Sequence, residues 1–189
     1  MRIIAGKHKS RKLETLEGNN TRPMMDVMKE SVFNTLGPYF EEIEILDLFG
    51  GSGALSLEAI SRGAKHSFII DLSREAVKVI TNNVKALHEE SSVTILNTDY
   101  KLALKKLEGK QFDLIFLDPP YAKQEIEMQI KKIVDADLLN DEAIIICEVD
   151  KRTDLEENIG AATVFRSEVY GASKIIMYEY SSNEEISNE

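Results

Sequence analysis

From residue 44 onward the chain alternates between short apolar runs and segments with helical spacing. EILDLF (44–49) ends in a glycine cluster, and ALSLEAISRG behind it repeats its apolar positions at helical intervals before closing on glycine. HSFIID reads as a strand, SREAVKVITNNVKAL as a helix with Ser73 as its N-cap, SVTILN as a strand and DYKLALKKLEG as a helix. FDLIFLD, QEIEMQIKKIV and EAIIICEV then continue as strand, helix and strand. FIID, DLIFLD and AIIICEV are apolar at successive rather than alternate positions, the pattern of parallel strands covered on both faces. Such alternation predicts an α/β fold with an open, doubly wound parallel sheet.

The end breaks this rhythm. After polar KRTDLEENIG, the runs ATVFRSEVY and SKIIMYEY are separated only by Gly171 and Ala172. That gap holds no crossover helix, so an antiparallel hairpin is expected. The first 40 residues stand apart as a basic stretch suited to a small hairpin, followed by MMDVMKESVFNTLG as an amphipathic helix behind Pro23. Three regions are therefore expected: an extension over 1–40, a main domain over 41–180 and an acidic, disordered tail over 181–189.

Composition narrows the classes. With 189 residues, 43% hydrophobic and 30% charged, the chain has the make-up of one soluble globular domain. Neither a signal peptide nor a membrane span is legible, and a cytoplasmic monomer is expected. The single cysteine, Cys147 inside AIIICEV, forms no internal disulfide and reads as a buried thiol. His8, His66 and His88 lack metal-ligand spacing and read as surface or loop residues, so no metal is expected. Charge adds one feature. Residues 1–13 hold Arg2, Lys7, Lys9, Arg11 and Lys12 and no acid; against a net −10 for the whole chain, this leaves −15 on the rest. The arm is either a solvated segment or a grip for an anionic partner.

In an open α/β sheet ligands sit beyond the carboxyl ends of the strands, which makes each loop after a strand a candidate. DLFGGSGAL follows the first: Gly50, Gly51 and Gly53 permit a tight turn, and the next helix directs its first N–H groups at the same space. A nicotinamide fingerprint requires glycine where Ser56 stands, and Asp47 at the strand end repels a pyrophosphate while welcoming a cationic amine. The loop thus favours a nucleoside bearing an amino acid. Asp71, ending the second strand, is placed to accept both hydroxyls of a ribose. Asp99, ending the third, suits an adenine amino group or a helix cap equally well.

LDPPYAK follows FDLIF. Each residue before a proline is held extended, and neither proline has an N–H, so this corner offers only acceptors. With the Asp118 carboxylate added, both hydrogens of a planar NH₂ can be gripped, and Tyr121 can lie against the attached ring. The bland alternative is a strand stopped by proline.

In combination these motifs are similar to those of class I S-adenosylmethionine-dependent methyltransferases, with DPPY matching the motif of members that methylate exocyclic amines. More closely, residues 1–180 resemble the RsmD family of bacterial 16S rRNA (guanine-N2)-methyltransferases. The resemblance is carried by RIIAGKHKSRKL, the RP…D…KES.FN.L pattern from Arg22 to Leu36, LDLFGGSGALSLEA.SRGA, DPPY and YGASKIIMYEY. It implies a Rossmann-like, mostly parallel sheet of seven strands, with one antiparallel strand inserted through the terminal hairpin. S-adenosylmethionine would lie with its methionyl amine near Asp47 and the loop Phe49, Gly50, Gly51, Ser52 and Gly53. Its ribose would meet Asp71 beside Leu72, and its adenine Asp99 and Tyr100. A flipped guanine would bring N2 to Asp118 and the Pro119 carbonyl, with Pro120 and Tyr121 completing the motif. Arg2, Lys7, Lys9, Arg11, Lys12 and Arg22 would hold phosphates of 16S rRNA or of a small-subunit assembly intermediate. Two positions depart from the pattern: Met24 and Met25 stand where threonine is common, and Asp71 where glutamate is more frequent. Another exocyclic amine (adenine N6 in RNA or DNA, or a protein glutamine), an inert RNA-binding module and a nicotinamide oxidoreductase remain the alternatives.

Overall fold

The computed structural model describes residues 1–16, 23–119 and 125–182, and the side chains of residues 23–25 lie outside that description. The chain forms two compact units, Met1–Ala103 and Leu104–Glu189.

In the first unit, strands β1 (Glu44–Asp47), β2 (His66–Asp71) and β3 (Val93–Asn97) lie parallel in the order β3-β2-β1. Ile45, Leu46, Ile69 and Ile70 are at most 0% exposed, which explains why these strands are apolar at successive positions. Helices α1 (Pro23–Leu36), α2 (Ala54–Ser61) and α3 (Arg74–Leu87) belong to this unit, and α4 (Tyr100–Lys106) starts in it. Ser73 caps α3 by accepting the Ala76 N–H, as its sequence position predicts. Because β1 and β2 both end in aspartate, the topology delivers Asp47 and Asp71 to the same edge of the sheet.

The basic arm forms a small hairpin. Arg2 and Lys12 make an antiparallel bridge, and Ile3 donates its N–H to the Arg11 carbonyl at 3.0 Å. Ile3 and Leu13 supply its apolar anchors. Glu58 on α2 fastens it, accepting the N–H groups of Ile4 (2.9 Å) and Ala5 (3.0 Å), Lys29 Nζ (3.1 Å) and Arg62 Nε (2.8 Å). One turn on, Ser61 accepts the Lys7 N–H through its carbonyl and the His8 N–H through its hydroxyl. The approach is close enough that a Cβ at Gly6 would lie 1.8 Å from the Ser61 carbonyl oxygen, so only glycine fits there. The described part of the arm is thus bonded to α2 and α3 rather than standing off as a solvated segment.

In the second unit, β4 (Phe112–Leu117), β5 (Leu139–Asp150), β8 (Ser173–Tyr180), β7 (Ala162–Tyr170) and β6 (Asn158–Ile159) run side by side in that order, with α5 (Ile126–Asp135) between β4 and β5 in sequence. β4 and β5 are parallel, whereas β8 is antiparallel to both β5 and β7. The hairpin closes with Tyr170 opposite Ser173, and Gly171 takes the positive φ of 60° that so short a turn demands. Eight strands are described where seven are expected. The added one, β6, lies inside polar KRTDLEENIG, where Ile159 is buried and pairs with Ala162. Two apolar residues, Leu155 and Ile159, in a polar stretch give no periodicity from which a strand could be read. Residues 183–189 of the expected tail lie outside the described residues.

Candidate active site

The loop after β1 is shaped by its glycines. Gly51 and Gly53 have φ of 56° and 77°, and a Cβ at Gly50 would meet Ile69 Cγ2 at 2.3 Å. Nothing stands within 4 Å of a Cβ built at Gly51, which leaves open space over the loop. Its glycine amides are used internally. Gly50 donates to the Ile70 carbonyl (2.8 Å), Gly51 to Asp71 Oδ2 (2.9 Å) and Gly53 to the Gly50 carbonyl (2.7 Å). A loop with its glycine donors spent and acids beside it favours a cation over a pyrophosphate.

Asp71 holds this geometry. Its Oδ2 takes the Gly51 N–H and its Oδ1 the Ser73 N–H at 2.8 Å. Each carboxylate oxygen retains a second lone pair for a hydroxyl. The turn is steadied from β3, where Asn97 Nδ2 donates to the Asp71 and Leu72 carbonyls, both at 3.0 Å. Leu72 itself is 68% exposed, an apolar side chain presented beside the acid.

Asp47 is 2% exposed, and burial pushes its carboxyl up to about 7. Two neutral donors oppose that push, the Ser56 hydroxyl at 2.8 Å and the Phe49 N–H, while the Asp71 charge adds to it. Ser56 is in turn hydrogen-bonded by the Ser67 hydroxyl at 3.0 Å. Ser56 therefore does more than depart from the nicotinamide fingerprint: its hydroxyl is the side-chain donor to the buried acid. This role leaves no local sequence signal, because Ser56 lies nine residues from Asp47 on another element.

Phe49 and Tyr100 are brought together, with ring centroids 5.8 Å apart and planes tilted by 49°. Lys101 Nζ lies 5.7 Å from the Tyr100 centroid. Asp99 is exposed and caps α4, its Oδ1 accepting the Lys101 N–H at 2.8 Å. The capping role is thus present, and it occupies one of the two carboxylate oxygens.

In the second unit Asp118 follows β4, exposed, and Pro119 beside it is buried. Pro120 and Tyr121 lie outside the described residues, as does Arg22. The remaining basic candidates differ in their engagement. Lys7 pairs with Glu89 at 2.6 Å, Arg2 with Asp26 at 3.7 Å, and Arg11 donates to the Ala86 carbonyl at 2.7 Å. Lys9 and Lys12 are exposed. His8 lies in the turn of the arm, as a loop residue, with its ring 14% exposed and bonded to Glu89. Cys147 is buried, which pushes its thiol up and makes it inert. Among the described residues no group of three or more His, Cys, Asp or Glu could hold a metal ion. No described helix is long and apolar enough to cross a membrane.

The family model described as conserved hypothetical protein 95 matches residues 1–179. YlbH of Bacillus subtilis is 36% identical over 181 residues, covering 95% of this chain and 98% of its own. Ribosomal RNA small subunit methyltransferase D of Escherichia coli is 30% identical over 179 residues, covering 95% and 89%. Among solved structures, Escherichia coli yhhF superposes with a TM-score of 0.82 at 29% identity, over 96% of this chain and 98% of that one. Parallel strands finished by an antiparallel hairpin, a glycine loop with Asp47 and Asp71 at its edge, and matches of this length place the chain in the RsmD family of methyltransferases.

Proposed function

We propose that the protein transfers a methyl group from S-adenosylmethionine to the exocyclic N2 amine of a guanine in 16S rRNA, either naked or within a small-subunit assembly intermediate. The observation that carries this reading is the set of acids at the ends of β1, β2 and β3 around a glycine loop whose glycine amides are bonded within the protein. Relatives named ribosomal RNA small subunit methyltransferase D support the substrate class. An rRNA substrate supports the cytoplasm as the place of action, and we propose that the protein works there as a monomer.

The residues present fit the cofactor. A buried acid with only neutral donors gains most from a cationic amine, which assigns the methionyl ammonium to Asp47. Asp71 has lone pairs left for the ribose hydroxyls, Leu72 and the Phe49–Tyr100 pair offer apolar surface to adenine, and Asp99 keeps an oxygen for its amino group. When bound, S-adenosylmethionine supplies an electrophilic methyl carbon on a positively charged sulfur.

Asp118 and the Pro119 carbonyl accept the two N–H bonds of the guanine amine and orient its lone pair for attack. As the amine nitrogen gains the methyl carbon, the S–CH₃ bond of the bound cofactor breaks, its sulfur keeping the electron pair and leaving as S-adenosylhomocysteine. The Asp118 carboxylate would stabilise the positive charge on the amine nitrogen and take the proton that departs. Tyr121 stacks on the flipped base. Incubation with S-adenosylmethionine and unmethylated 16S rRNA should yield N2-methylguanosine, read by mass spectrometry of the digested nucleosides. Methyl on another base, or none, overturns the assignment. Asp118→Ala should slow transfer by about 10²–10⁴-fold and leave cofactor affinity within about twofold; near-normal turnover would remove Asp118 from the chemistry.

A further inference from the structure

Helix α3 buries Ala76, Val79, Ile80, Val84 and Leu87 on one face, and a polar residue, Asn83, interrupts that face at 3% exposure. A buried carboxamide is tolerated only when its groups are satisfied. Asn83 spends every one. Its Oδ1 accepts the Glu14 N–H at 2.7 Å, and the two hydrogens of Nδ2 go to the Glu14 carbonyl at 3.0 Å and the Ser52 carbonyl at 2.9 Å. One side chain therefore ties two segments that lie 38 residues apart in sequence, from Glu14 to Ser52. Glu14 lies two residues beyond Lys12 in the basic arm, and Ser52 sits between Gly51 and Gly53 in the glycine loop. Glycine on both sides frees the loop backbone from the limits a Cβ sets, and the Asn83 bond helps to hold it at the positive φ seen at Gly51 and Gly53.

We propose that Asn83 is a positioning residue that sets the glycine loop and the basic arm in register, so that cofactor in the loop and RNA on the arm each favour the binding of the other. This rests on the function proposed above. Coupling of this kind is reciprocal, and its usual size is about 5–150-fold.

The test is a thermodynamic cycle by calorimetry with S-adenosylhomocysteine and 16S rRNA transcribed in vitro. In the wild type, saturating S-adenosylhomocysteine should tighten RNA binding at least about fivefold. In Asn83→Ala the factor should fall to within about twofold of unity while each ligand still binds alone. Glu14→Pro removes the N–H from the arm side without touching the helix core and should lose coupling likewise; it carries the test if Asn83→Ala does not fold. Glu14→Ala, which loses only the Asn82 bond to its carboxylate, should keep the factor. Val79→Ala, a core truncation on the same helix, should lower the melting temperature yet also keep it. A wild-type factor of one, or an unchanged factor in both Asn83→Ala and Glu14→Pro, overturns the proposal. A wild type that binds neither ligand overturns the proposed function instead.

Discussion

Asp47 and Glu58 are both buried acids of the first unit, 2% and 0% exposed, and their surroundings are opposite. Glu58 holds two cations and two backbone amides, so its charge is balanced where it sits. Asp47 has a serine hydroxyl and one amide, no described cation beside it, and a carboxyl pushed up to about 7. A buried acid with its counter-charge in place is a fastener; one without it is suited to pair with a cation brought from outside. That difference separates the anchor of the arm from the candidate cofactor site.

The largest effect should come from breaking the fastener. Glu58→Gln keeps the shape but leaves Lys29 and Arg62 buried without their counter-charge, at a cost of about 3–5 kcal/mol. Lys29 already has its ammonium pulled below the ordinary value by burial, with Glu58 opposing that pull, so losing Glu58 should lower it further. Urea unfolding of the two proteins measures the difference; a loss below about 1 kcal/mol would make the cluster no more than a surface pair.

The second test reverses the sign. The folded-state value of Asp47 lies above its unfolded one, so between about pH 4 and pH 7 the folded state holds the extra proton. Stability from this group is full below pH 4 and is lost as pH rises through 7, by up to about 4 kcal/mol for a rise from 3.8 to about 7. Asp47→Asn should remove that decline and be the more stable protein at pH 8. Unfolding free energies of the pair, measured from pH 5 to pH 8, should converge toward the acid end; parallel curves would mean that Asp47 keeps an ordinary value.

The comparison also explains what the sequence made legible. Strands appeared because both their faces are buried, as in HSFIID and FDLIFL, and Asp47, Asp71 and Asp99 stood out because strand ends carry ligands in such folds. Glu58 and Asn83 did not, since apart from Arg62, four residues from Glu58, their partners are 29 to 69 residues away, and those on the arm meet them only once it has docked. A trace of Asn83 was visible as a polar break in an apolar helix face, and Glu58 left a similar one inside ALSLEAIS. β6 left even less, one isoleucine in a polar run.

A third experiment asks whether Asp47 pairs with the cofactor's amine. Asp47→Asn should weaken S-adenosylhomocysteine binding by about 1.5–3 kcal/mol, the worth of a hydrogen bond to a charged group. In the wild type, affinity should rise between pH 6 and pH 7.5 as Asp47 ionises to meet the ammonium, with protons released in calorimetry. The variant should show neither effect. Equal affinity for both proteins at pH 7.5 would move the methionyl amine elsewhere.

The smallest effect should come from the serines. Ser56→Ala removes the neutral donor that holds Asp47 down, so the pH at which cofactor affinity rises should move upward, with a loss near pH 7 of about 1 kcal/mol. Ser67→Ala acts one bond further out and should move it less, because Ser67 touches Ser56 and not the acid. The ordering is the informative part. If Ser67→Ala shifted the profile more than Ser56→Ala, Asp47 would be governed by packing around β2 and not by its own donor, and its contrast with Glu58 would lie in burial alone.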